Sequence, residues 1–445
     1  MKIKKYGSAT VLIETQDVSI LCDPWLTDGI YLGSWCNYPP INLKECDLSN
    51  VDFVYISHIH PDHFDPLTME LIDKSVPILI HKYHHTFLKV NIERLGFTVI
   101  EMKNGLPFDL SETTKISIFA ADDCDPSICG HMFGSITSEI KGSMQLDSLC
   151  VVDDGKHILV NTNDCPYDIT EKTLVRIKTL YPKIDFALVG YTIASLYPHS
   201  IMNYSDEQME SAIEKGKSIG LLNALNTLKV LQPKYYMPFA GTYILGGSNY
   251  KKNKNLPLPE LQDAASFLQS ESNKILINGS PVLLNFGESF DLENKISTSP
   301  YLPIDKQKRE EYIENVASKF KYTYENEETP SEDELLDLFN RSLEKLKRKQ
   351  NEIEFFEDLN IVFDISKEKL VCINLMKTDL TIINNIEHLD NYHRFQLDIR
   401  LLRMVLLGPR FVSWDNIEIG ALLNFARKPD VYRMDVHILI NFLCL

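Results

Sequence analysis

The amino-acid sequence predicts an α/β fold: an αββα sandwich of two β-sheets between helices over residues 1–295, then a smaller α+β domain over residues 296–445. Three observations carry this reading. Short apolar runs rich in β-branched residues alternate with longer amphipathic stretches through the first part, as strands and helices do in layered packing. From residue 296 the chain turns rich in Lys and Glu before short strands return. A length of 445 residues also exceeds the size at which one hydrophobic core keeps growing, so about two or three domains are expected.

The elements follow in order. Residues 10–14 and 18–23 are apolar strands around a polar turn at Gln16-Asp17, an opening hairpin. Pro24-Trp25-Leu26 leads into a long loop with Gly29, Gly33, Pro39 and Pro40. Its aromatics Trp25, Tyr31, Trp35 and Tyr38 either pack the loop down or line one wall of a pocket. Residues 51–56 read as a buried strand. A helix over 67–74, a strand over 76–80, a helix over 84–95 and strands over 97–100 and 115–120 follow. Strands over 148–152 and 157–160 flank the turn Asp153-Asp154-Gly155, and residues 186–191 are strand-like. Ser205-Asp206-Glu207-Gln208 is a capping box, in which Ser and Gln satisfy each other's backbone N–H, and it opens a helix running toward Leu231. Strands over 234–238 and 281–286 close this part. Farther on, residues 305–355 read as helical. There Ser331-Glu332-Asp333-Glu334 caps a helix with Leu335, Leu336, Phe339, Leu343 and Leu346 on one stripe, its charges forming a solvated face. Strands near 360–363 and 370–373 follow, and residues 391–445 are rich in aromatics.

Composition excludes several classes. No apolar run is long enough to span a bilayer, and the basic start Met1-Lys2-Ile3-Lys4-Lys5-Tyr6 lacks the apolar core of a signal peptide. A cytoplasmic protein with a small-molecule substrate and no membrane partner is expected, with room for a homo-oligomer. The net charge of −17 argues against nonspecific binding to nucleic acid or anionic lipid, yet allows a local basic pocket. The nine cysteines include no C-x-x-C pair. Cys124, Cys129, Cys150 and Cys165 therefore read as buried small residues rather than a zinc ribbon.

Ser57-His58-Ile59-His60-Pro61-Asp62-His63 is the densest chemistry in the chain. It sets three imidazoles and a carboxylate at the end of a buried strand. His58 and His60 alternate and can point the same way from extended backbone. Asp62 and His63 follow the turn at Pro61 and can serve a second metal. Neutral imidazole and carboxylate suit Zn or Fe, with Mn also compatible, as one ion or two.

This motif matches the H-x-H-x-D-H signature of the metallo-β-lactamase superfamily, and the chain resembles that superfamily. The resemblance implies a third His beside His58 and His60, for which His131 in Cys129-Gly130-His131-Met132 is the candidate; Asp122, Asp123 and Asp125 are nearby substitutes. It also implies a bridging Asp, for which Asp164, just past the strand over 157–160, is the candidate. A late His is expected near Met237-Pro238-Phe239-Ala240-Gly241-Thr242, where no imidazole stands. His199 is an alternative from a loop, while His81, His84 and His85 read as surface residues at a helix entry.

A closer likeness rests on Cys22-Asp23-Pro24-Trp25-Leu26, the His motif, Ile158 through Cys165, Leu231 through Gly241, Trp414 through Gly420 and Arg427 through Tyr432. Together these resemble the metallo-β-lactamase-like part of the CMP-N-acetylneuraminate hydroxylase family. That family carries a Rieske [2Fe–2S] centre, which needs paired Cys and His motifs, and the sequence has no C-x-H…C-x-x-H pair.

Three functions are open at this point. The first is a metal-dependent hydrolase acting on an anionic or sugar/nucleotide-type substrate. There His58, His60 and His131 hold one metal, Asp62, His63 and Asp164 hold or orient a second, and Asp62 or Asp164 takes the proton from the attacking water. Tyr236 and Tyr243 are candidates for polarising the substrate. The second is an iron-dependent oxygenase or hydroxylase with a separate electron donor. The third is a ligand-sensing protein with a degenerate site. Gly408 through Trp414, with Arg410, would cover the site or make a dimer contact.

Overall fold

The computed structural model describes residues 1–129, 147–274 and 278–445. Two sheets face each other through one apolar core. The first has eight strands in the order Ile296–Ser297, Ser289–Asp291, Lys2–Lys5, Val11–Glu14, Ser19–Cys22, Phe53–Tyr55, Ile78–His81 and Val99–Met102. The second has seven, in the order Ser280–Pro281, Tyr235–Phe239, Phe186–Gly190, Ile158–Asn161, Ser148–Asp153, Lys115–Ala120 and Pro107–Asp109.

Period-2 alternation in the strands explains the layering. Ile20, Cys22, Tyr55 and Leu79 of the first sheet meet Ile118, Cys150, Val152, Leu188 and Met237 of the second. Their sequence neighbours Leu21, Val54, Ile78 and Ile80 point the other way, onto the helices Pro66–Met69 and Phe87–Arg94. On the far side, Phe119, Val151, Val160, Ala187 and Val189 bury against Tyr167–Leu180, Asp206–Leu231 and Leu261–Lys274. The result is the αββα sandwich expected. Several bounds moved: the helix expected over 67–74 is one turn, Pro66–Met69, opened by an Asp65 cap. The capping box at Ser205 and Gln208 is formed, and its helix runs the full Asp206–Leu231.

The strand directions matter most for function. Ser19–Cys22, Phe53–Tyr55 and Ile78–His81 run parallel, and Lys2–Lys5 shares their direction through two antiparallel pairings. In the second sheet Ile158–Asn161, Phe186–Gly190 and Tyr235–Phe239 are also parallel. Their carboxyl ends collect on one rim, where open α/β sheets place their ligands. Tyr55 Oη donates to the Ser148 carbonyl at 2.9 Å, and Ser148 Oγ to the Ser57 carbonyl at 2.8 Å, tying the sheets together there.

The C-terminal α+β part is a five-stranded sheet, Asp379–Ile383, Leu370–Asn374, Asn360–Asp364, Tyr392–Leu397 and Leu423–Lys428. Helices Glu332–Glu352, Ile399–Leu407, Trp414–Ile419 and Met434–Ile440 share its core. Leu335, Phe339, Leu343 and Leu346 are the buried stripe the sequence indicates, while Leu336 packs at its margin. This part is stitched to the sandwich. Lys252 Nζ donates to Ser200 Oγ and to the Ala421 and Leu423 carbonyls at 2.8–3.0 Å. No helix among the described residues is long and apolar enough to cross a membrane.

Candidate metal centre

Three strand ends bend into the shared rim, each through a non-glycine residue in the left-handed region: Asp23 at φ 45°, Asn163 at φ 44° and Ala240 at φ 50°. Such backbone persists where surrounding contacts hold it. Asp23 is fully buried and accepts from the Ser57 N–H at 2.7 Å and from Ser57 Oγ at 2.8 Å, with His63 Nδ1 3.0 Å from Oδ2. Asn163 donates to the Ser148 carbonyl at 2.6 Å and so fixes the turn that presents Asp164.

The His motif turns over as the sequence suggests: the His63 and Phe64 N–H groups donate back to the His60 carbonyl. His58 Nε2 and His60 Nδ1 lie 2.8 Å apart. His63 Nε2 lies 3.3 Å from both Asp62 Oδ2 and Asp164 Oδ2. Two donor groups, His58/His63/Asp164 and His58/His60/Asp147, each gather one ligand atom per residue within 4.8 Å. Thus His58, His60, Asp62, His63 and Asp164 come together at one place. His131 lies outside the described residues.

A metal fits this set. Asp164 Oδ1 is buried without a hydrogen-bond partner among the described residues, although a buried polar atom of this kind ordinarily has one, and His63 Nε2 has only the long 3.3 Å approaches of the Asp62 and Asp164 carboxylates. The Nδ1 face of His63 is meanwhile occupied by the Asp23 carboxylate. That is the outer-shell arrangement that fixes a ligating imidazole's tautomer and raises its basicity.

The electrostatics set three imidazoles among several carboxylates. Burial alone would depress His63, but the carboxylates of Asp164, Asp62 and Asp23 outweigh it and hold the ring protonated well above its ordinary range. Burial lowers His58, and the charge on His63 adds to that; His60 falls through burial and the neighbouring His58. Burial and the Asp164 charge push Asp147 up to about 7. Burial would raise Asp164 too, yet His63, His58 and His60 keep it ionised.

Several residues are placed differently from the sequence reading. Of the loop aromatics, Trp25, Tyr31 and Trp35 are all buried in one cluster with Tyr243, so they pack the loop down. Tyr31 does both jobs, because its hydroxyl also donates to Asp62 Oδ1 at 2.6 Å. Tyr236 belongs to the helix-facing core of the second sheet and not to the rim, as period 2 demands of a neighbour of Met237. Tyr243 stacks on Trp35 at 3.5 Å, and burial, with a smaller push from the Asp62 charge, raises its hydroxyl. His81 is not a surface residue: it ends a strand 1% exposed, and burial lowers it to about 4. His84 and His85 are exposed. His199 is buried beside Lys252, with neither ring nitrogen partnered among the described residues. Arg410 is exposed.

Three contributors had no role assigned from sequence. Asp147 precedes a strand antiparallel to Ile158–Asn161, so its position falls on the same rim as Asp164; an acid just before a buried strand was the available signal. Asp23 stood in a quoted segment without a function. Asp415, at the start of the helix Trp414–Ile419, is near enough for the charge of His60 to act on it.

The comparisons with known proteins agree with this geometry. Residues 2–166 match the family described as "Beta-lactamase superfamily domain". A Mycolicibacterium smegmatis protein named as a Rieske 2Fe-2S iron-sulfur protein is 30% identical over 202 residues, 44% of this chain and 35% of that one. The cytidine monophosphate-N-acetylneuraminic acid hydroxylase of Asterias rubens is 22% identical over 252 residues, 55% of this chain and 35% of its own. That of Mus musculus is 25% identical over 242 residues, 51% and 37% respectively. The chain thus spans about a third of the length of these curated relatives. Among solved structures, CmlA, a diiron beta-hydroxylase from Streptomyces venezuelae, aligns at TM-score 0.42 and 13% identity over 64% of this chain and 53% of that one, too distant to bear on function. Sandwich, rim and sequence relationships converge on one assignment: the chain carries a metallo-β-lactamase-fold domain related to the CMP-N-acetylneuraminic acid hydroxylases.

Proposed function

We propose that the protein is an iron-dependent hydroxylase of a small anionic or sugar/nucleotide-type substrate, fed with electrons by a separate donor. The observation that carries this reading is the sequence relationship. The curated relatives include proteins named as hydroxylases and as Rieske iron–sulfur proteins, and the donor set is imidazole and carboxylate throughout, which suits iron. In this reading His58, His60, Asp62, His63 and Asp164 are the metal-holding residues, with Asp147 added. Hydroxylation of a C–H bond by dioxygen needs two electrons and two protons and yields the alcohol and water. When bound, the metal supplies the redox chemistry. The chain's own groups do the rest. Asp23 holds His63 with Nε2 turned to the site, Tyr31 Oη holds Asp62 by its Oδ1, and Asp62 and Asp164 are the carboxylates placed to take or return a proton.

A second reading is a metal-dependent hydrolase, with Asp62 or Asp164 taking the proton from water. It is supported by the same donor set, which suits zinc equally. The deciding experiment is metal analysis of protein produced without added metal, followed by anaerobic reduction and exposure to oxygen. Bound iron that consumes oxygen once reduced supports the hydroxylase. Zinc alone, with hydrolysis of an activated ester or phosphodiester, overturns it in favour of the hydrolase.

A further inference from the structure

A cavity of about 220 Å³ opens on the same rim, beside the metal centre and separate from its ligands. Its position follows from the strand directions. Lys5 ends the strand Lys2–Lys5, which runs with Ser19–Cys22 and Phe53–Tyr55, and the turn after Tyr235–Phe239 also lines the cavity. That turn is docked on the Lys5 side, since the Gly241 and Thr242 N–H groups both donate to Ser8 Oγ at 3.0–3.1 Å. The cavity and the metal centre share Tyr243, which lines the first and feels the charge of Asp62 in the second.

Three charged residues line the cavity: Lys5, Glu260 and Arg309. Arg309 and Glu260 cancel in a two-pronged pair, with Nη2 2.6 Å from Oε1 and Nη1 3.2 Å from Oε2. Lys5 has no ion pair or side-chain hydrogen bond among the described residues, and burial lowers its ammonium to about 8. Lys5 is half-buried, and of the three charges on the wall it is the one that no described residue neutralises. The remaining wall is largely apolar and aromatic, with Tyr6, Tyr38, Phe286 and Tyr301.

We propose that this cavity binds a small organic monoanion, a carboxylate carried on a flat, largely apolar body, with Lys5 as its counter-charge. One uncompensated positive charge matches one negative charge. The volume suits a single-ring molecule, being below the usual span of about 300–1,000 Å³ for drug-sized ligands. This holds whichever reaction the metal centre runs.

The test uses calorimetric titration of the full chain with benzoate and with benzyl alcohol, in chelator-stripped and in metal-loaded protein. Benzoate is expected to bind about tenfold more tightly than benzyl alcohol in both forms, as a charge-assisted contact predicts. The preference should vanish in Lys5→Gln and persist in Lys5→Arg, with folding checked by circular dichroism. Equal affinity for the two probes, no benzoate binding up to millimolar concentration, or a preference that survives in folded Lys5→Gln would overturn the proposal. So would benzoate binding confined to the metal-loaded form, because the carboxylate would then be meeting the metal. Should Lys5→Gln not fold, the two probes on the unaltered chain and on Lys5→Arg decide.

Discussion

Asp23 reaches no candidate metal position, yet it sets the direction of His63 and anchors Ser57 from a fully buried carboxylate. Asp23→Asn keeps the volume and removes the charge that favours the productive tautomer. Metal affinity, measured by competition with a chromophoric chelator, should fall by about 10–100-fold. Because His63 is held protonated without metal, loading must displace that proton. Calorimetry in buffers of different ionisation enthalpy should therefore show proton release, and affinity should rise with pH. Lys5 gives the opposite kind of prediction. Its folded-state value of about 8 lies below the ordinary 10.5, so the charged form is penalised by folding. The penalty is full below pH 8 and fades as pH rises through the ordinary value. Lys5→Met should raise the thermal midpoint at neutral pH, and the gain should disappear in strongly alkaline buffer.

At the scale of elements, the site is a property of strand ends. Gly190 ends the strand Phe186–Gly190, and a Cβ there would stand 2.6 Å from the Asn163 carbonyl oxygen and 3.0 Å from the Asp164 Cα. Gly190→Ala should push the Asp164 turn outward and lower metal occupancy by elemental analysis while the fold survives. The sequence showed much of this arrangement. The gathering of His58, His60, Asp62 and His63 with Asp164 was legible because residues at strand ends follow apolar runs whose period is visible. Strands such as Ile78–His81 were legible for the same reason. Less visible were features set by partners remote in sequence. Tyr31 is fixed on Asp62 by folding of a loop that carries no period. Tyr236 was misassigned because its face depends on register, and one step of a strand exchanges core for rim. His81 read as surface because a strand end looks polar until a neighbouring loop covers it.

At the scale of the whole molecule, the sandwich and the C-terminal part share their hydrogen bonds. Lys252 caps two carbonyls of the far part, and on its edge strand Leu423–Lys428 the Phe425 carbonyl accepts from the Met202 N–H while the Phe425 N–H donates to the Ser200 carbonyl. Lys252→Met would remove the ammonium's bonds to Ser200 Oγ and to both carbonyls, of which Ala421 keeps the Asn249 side-chain amide, at a cost on the order of 1–3 kcal/mol, read as a lower denaturant midpoint and faster proteolysis near residues 200–203. The same junction bears on Tyr31. Its loop is tethered where Ser34 Oγ donates to the Gly420 carbonyl at 2.6 Å and Trp35 Nε1 to the Ile419 carbonyl at 3.0 Å. On a ribosome adding about 5–20 residues per second, the partners of Ser34 and Trp35 emerge on the order of tens of seconds after them. The nascent chain thus exposes His58, His60 and His63 long before the loop that steadies Asp62 can lock, and that loop is tethered only after the segment around Gly420 has been made.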